Sequence, residues 1–229
     1  MQPNIQMIPQ AGELSLSRNK VLRNTYFLLA LSLIPTVIGA VLGTSMNFAW
    51  AAQHPVMFGV GSLVLMLGLM FGVSATRNSS MGVVLLLGFT FVMGVLLGPI
   101  LQVALKMSNG AQIVGLAAGG TSAIFFVLAG IASSTKRDFS FLGKFLMVGI
   151  VLLIIASLAN LFFQIPALAL ALSGVAVLLF SGFLLFDVSR VVNGGETNYI
   201  MATLSIYLDI YNLFINLLNI LMALMGNRD

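Results

Sequence analysis

Residues Leu204 to Leu221 read LSIYLDIYNLFINLLNIL. As a helix this stretch is roughly 27 Å long at about 1.5 Å per residue, enough to cross the hydrocarbon of a bilayer. Yet it carries Asp209, Asn212, Asn216 and Asn219, groups that hydrocarbon penalises. With Ser205 they are spaced 4, 3, 4 and 3, which is one face of a helix over roughly four turns. Across the wider span, residues 198–225, the other faces are almost entirely Leu, Ile, Phe and Met. A polar stripe of this kind cannot face lipid, so the segment belongs inside a bundle of other helices.

The composition requires such a bundle. Of 229 residues, 59% are hydrophobic and 7% charged, with a mean hydropathy of +1.09. Soluble domains are about 25% charged. The chain is therefore expected to be an all-α integral membrane protein with the lipid bilayer as its first partner. The net charge of +4 does not indicate nucleic acid, because no basic run is long or interleaved with aromatics. The absence of cysteine excludes disulfides and thiolate metal sites. A single histidine, His54, argues against a histidine metal site or a Ser-His-Asp triad.

Seven apolar runs are long enough to span: roughly 25–47, 56–76, 81–105, 111–133, 141–163, 166–192 and 198–225. The first exceeds the ~7–15 residues of a signal-peptide core and reads as an uncleaved span. The expected organisation is a cytoplasmic N-terminal tail, residues 1–24, followed by a seven-helix transmembrane domain, residues 25–229. With the tail inside, the inner segments hold Arg18, Lys20, Arg23, Arg77, Lys136, Arg137, Lys144 and Arg190, and the outer ones hold Lys106 and Arg228. That bias predicts a cytoplasmic N-terminus and an outside C-terminus.

Gly39/Gly43, Gly68/Gly72, Gly94/Gly98 and Gly115/Gly119 are pairs four apart, the spacing of close helix packing. Pro35 and Pro99 lie within spans and predict kinks. Gly194-Gly195 predicts the end of the sixth span.

Six residues are acidic. Glu13 and Asp229 lie in the tails. Asp138 follows Lys136-Arg137 and is expected to cap the fifth span. Glu196 is expected to be solvated in the Gly-Gly turn. Asp187 and Asp209 differ, because both fall within spans that meet at one turn. A carboxylate there requires water, a partner or a proton. Brought together, the two can share one proton, or form a weak and incomplete calcium site, since calcium prefers six to eight oxygens. The asparagines of span seven are either lining for such a site or glue between helices.

IYLDIYNLFINLL, FDVSRVV and TKRDFSFLG, in this chain order at Ile206–Leu218, Phe186–Val192 and Thr135–Gly143, resemble the signatures of the transmembrane Bax inhibitor motif family. KVLRNTYFLLALSL and NGGETNYI resemble its bacterial YccA-like branch. The resemblance implies six helices around a central seventh and a bacterial inner-membrane location. In some members it implies a pH-sensitive calcium leak sensed by an aspartate pair, which corresponds to Asp187 and Asp209. It also implies an arginine latch, for which Arg77 is the candidate. The branch is associated with modulation of the protease FtsH, the candidate protein partner. No acidic residue occurs in span two, unlike some leak-type members. Calcium is the candidate ion, and no cofactor is expected.

An enzyme is not expected. A di-aspartyl intramembrane protease resembles Tyr-Asp on one span and Gly-x-Gly-Asp on the next. Here Asp187 follows Phe186, Asp209 follows Leu208, and no Gly-x-Gly-Asp occurs.

Overall fold

A computed structural model of the protein describes residues 11–135 and 139–226. Asp138, Asp229 and the basic residues Lys136, Arg137 and Arg228 lie outside the described residues. Nine helices and no strand occur among them: α1 (Ala11–Ser45), α2 (Ala49–Gln53), α3 (Pro55–Ala75), α4 (Ser80–Leu96), α5 (Gly98–Leu105), α6 (Gly110–Ser134), α7 (Leu142–Phe163), α8 (Pro166–Val192) and α9 (Tyr199–Met225). They supply seven candidate spans, with α4 and α5 together making the third and α2 a short connector. The expected spans match these bounds closely.

Backbone chemistry sets the breaks. Pro99, which lacks an N–H, falls at the junction of α4 and α5, whereas Pro35 lies inside an uninterrupted α1. Gly194 takes φ +78° just after α8, and the Gly195 N–H donates to the Arg190 carbonyl at 2.8 Å, closing the helix as expected. At the far end of α7 the non-glycine Gln164 adopts φ 52° before Pro166. The first helix begins at Ala11, so it extends back through much of the segment expected to be tail.

Helix α9 forms the centre. It packs against α8, α6, α1, α4 and α3. Its residues Ile200, Leu204, Ile206, Leu213 and Leu218 are buried in the shared core. The arrangement departs from six helices around a seventh in one respect. Helix α7 packs on α8 and stands off from α9 across a cavity. Most of α3 and α7 is exposed, including Phe71, Phe145 and Phe162, as expected for helices wetted by lipid.

The glycine pairs divide. Gly39 and Gly43 of α1 lie directly on Gly94 and Gly98 at α4 and α5: a Cβ built at Gly43 would stand 2.6 Å from the Val95 carbonyl oxygen. Gly68, Gly115 and Gly119 face open space, and Gly72 is only in ordinary contact range of Leu85. The spacing reports small residues on one face, not whether a neighbour uses them.

Candidate functional site

The stripe on α9 is turned inward along much of its length. Asp209 is 5% exposed, and Ser205, Asn212, Asn216 and Asn219 are half-buried. On α8, Asp187 lies little more than a turn before the helix end, and its carboxyl group comes within hydrogen-bond reach of that of Asp209. The two aspartates singled out by the sequence thus meet. Asp209 Oδ2 is buried without a hydrogen-bond donor, so the pair is the polar surrounding that this oxygen has. A carboxyl pair at this depth needs water, a cation or a proton beside it.

The cation at the pair is Arg190, three residues after Asp187 on the same helix. Its Nη1 lies 3.6 Å from Asp187 Oδ1 and its Nη2 lies 3.4 Å from Glu196 Oε2. The guanidinium also sits over the Phe186 ring, 5.5 Å from its centroid. Glu196 is therefore not the solvated turn residue expected: it also accepts from the Asn198 N–H at 2.9 Å. Asn198 caps α9, its Oδ1 accepting from the N–H groups of Ile200 and Met201. Its Nδ2 donates to the Arg77 carbonyl at 3.0 Å and to Asn78 Oδ1 at 2.9 Å.

Arg77, the candidate latch, is placed differently from that expectation. Its side chain is exposed and makes no ion pair among the described residues. Its backbone carbonyl joins the site instead, through Asn198, Glu196 and Arg190. Sequence reasoning counted Arg190 only as an orienting charge, although its i, i+3 spacing from Asp187 was visible in FDVSRVV.

Two tyrosines were also missed on faces described as apolar. The Tyr207 hydroxyl lies 2.9 Å from Thr36 Oγ1 and 3.4 Å from the Thr90 carbonyl. The Tyr211 hydroxyl donates to the Met93 carbonyl at 3.1 Å. They fasten the other side of α9 to α1 and α4.

Asn212 and Asn216 do not glue helices together. Each donates its amide to the α9 backbone four residues earlier, at 2.8 Å, and both line the cavity beside α7 and α8. As for metal, no cluster of three or more His, Cys, Asp or Glu occurs among the described residues. Two carboxylates alone fall well short of the six to eight oxygens that calcium prefers.

An all-helical seven-span bundle with an intramembrane aspartate pair defines a class of polytopic membrane protein. The family described as inhibitor of apoptosis-promoting Bax1 matches residues 18–227, and the chain belongs to that family. It is 44% identical over 206 residues to the modulator of FtsH protease YccA of Escherichia coli strain K12, covering 90% of this chain and 91% of that one. It is 43% identical over 215 residues to an uncharacterized protein of Neisseria meningitidis, at 93% and 94% coverage. An uncharacterized membrane protein of Vibrio cholerae is 42% identical over 217 residues, at 95% of each chain. The spans and these relatives place the chain in the bacterial inner membrane as a multi-pass protein.

Proposed function

We propose that the protein is a proton-gated calcium leak whose sensor is the Asp187–Asp209 pair. The observation that carries this reading is the meeting of two carboxyl groups from adjacent spans, with Arg190 held on one of them. Intramembrane carboxylates of this kind mark ion and proton paths. The direction of gating follows from charge. While the pair is ionised it holds Arg190, and through Glu196 and Asn198 it holds the Arg77 turn. Protonation removes that hold, so calcium flux rises as pH falls. The N-terminus is on the cytoplasmic side in this reading, as the basic residues indicate. The reading assigns no catalysis.

The test is calcium flux into proteoliposomes across pH. The double variant Asp187→Asn, Asp209→Asn is expected to leak at the acid level at every pH. An unchanged pH profile in that variant sinks the sensor role.

A second reading is favoured by the YccA relative: the chain binds and modulates the protease FtsH. Removing residues 1–10, which leaves α1 intact, tests whether the tail is the handle. Co-purification with FtsH that is lost in this truncation supports the reading. Co-purification that survives it moves the contact to the helices.

A further inference from the structure

Between α7, α8 and α9 lies a cavity of about 450 Å³. Most of its lining is aliphatic, but Ser157, Asn160, Ser173, Asn212 and Asn216 line it from all three helices. Several hydroxyls elsewhere in the spans bond back to their own helix: Thr25, Ser32, Thr121, Ser122 and Ser181 do so at 2.7–2.9 Å. Ser157, which is exposed, and Ser173, which is only 8% exposed, do not, and neither hydroxyl has a partner among the described residues. The amides of Asn212 and Asn216 are spent on the α9 backbone, which leaves both carboxamide oxygens without a donor among the described residues. Four polar groups without protein partners converge on one space inside a membrane-spanning bundle.

From this we infer that the cavity is a hydration site: it holds a cluster of water molecules and runs from the face of the bundle opposite the α8–α9 turn to within one helical turn of Asp209. The volume admits several waters, and the lining hydroxyls and carboxamide oxygens offer them the polar partners that ordered water requires. An empty or lipid-filled cavity would instead bury these groups unsatisfied. The inner end of the cavity is formed by Asn212 and Phe180. Asn212 lies one helical turn from Asp209, and Phe180 lies two turns from Asp187 on α8. Water therefore stops one turn short of the carboxyl pair, at the level of the Phe180 ring, whose centroid lies 6.3 Å from that of Phe183. Protons and cations reach the sensor from this side. That last link rests on the function proposed above, whereas the presence of water does not.

The chain has no cysteine, so single-cysteine variants need no prior removal of native thiols. Ser173→Cys and Asn216→Cys are placed in the unlabelled protein in lipid nanodiscs, where both faces are open to a charged, membrane-impermeant methanethiosulfonate. Val175→Cys, at the same depth on α8 but 47% exposed toward lipid, is the control. Because the reagent attacks the thiolate, which forms only in contact with water, positions 173 and 216 are expected to react at least tenfold faster than position 175. Equal slow rates at all three positions overturn the inference. Radiolytic hydroxyl-radical footprinting of the unsubstituted protein removes dependence on the variants: oxidation of Phe180 well above that of lipid-facing Leu178 supports water, and protection of both overturns it. Labelling with no pH-dependent flux would leave the hydration site standing and reject the leak, so the two readings fail separately.

Discussion

The two sides of α9 are built on opposite terms. On one side stand α1 and α4, which touch each other through glycine, backbone against backbone, and the tyrosine hydroxyls of α9 find protein partners there: Tyr207 with Thr36 and Thr90, and Tyr211 with Met93. Toward α7 there is no such closure. The facing groups are serines and asparagines around a cavity, and α7 packs chiefly on α8. One side is a rigid wall and the other a loose one, and the aspartate pair lies at the margin of the loose one. Close packing on one side and an open space on the other follow from the same rule, that polar groups in a membrane need partners.

The strongest way to break the contrast is Gly94→Leu. A Cβ there meets the Thr36 carbonyl oxygen, and the neighbour is backbone that cannot swing aside. A loss of about 3 kcal/mol is expected, read as a large fall in melting temperature in detergent. Tyr207→Phe removes the buried hydroxyl from Thr36 and Thr90 and is expected to cost about 1.5 kcal/mol in the same assay. A value near zero would show that the wall does not depend on its polar ties. Asn198→Ala removes the cap of α9 and is expected to cost about 1 kcal/mol. It should also raise hydrogen exchange at Ile200 and Met201 while leaving the far half of α9 unchanged. Gly115→Ala sharpens the comparison from the other direction. This glycine has the same spacing as Gly94 but nothing within 4 Å of a built Cβ, so a change within about 0.5 kcal/mol is expected.

Much of this was legible in the sequence, and the reason is the solvent. Hydrocarbon imposes a length and forbids stray polar groups, so seven runs, the Pro99 break and the Gly194 stop stood out. The same rule turned the Asp209 stripe inward and paired it with Asp187. Spacing names a face but not its neighbour. Gly39 and Gly115 look alike along the chain, yet one meets a backbone and the other meets nothing within 4 Å among the described residues. Arg190 was overlooked for a related reason. It was counted as a charge at the membrane edge, while its side chain reaches back along α8 to Asp187. Arg77 looked like the natural latch because it was the basic residue at the end of span two, but its contribution to the site is a backbone carbonyl. The distance of α7 from α9 left no mark, because α7 is aliphatic on nearly every face.

Asn198 has a mechanical consequence. One side chain closes the first turn of α9 and grips the turn between α3 and α4. Helix α3 has little else buried in the bundle, Val73 being its one buried residue. The α3–α4 turn is thus a lever with its pin at residue 198. A pull on that exposed corner, by a protein or by the membrane surface, is carried along ten residues of continuous helix to Asp209.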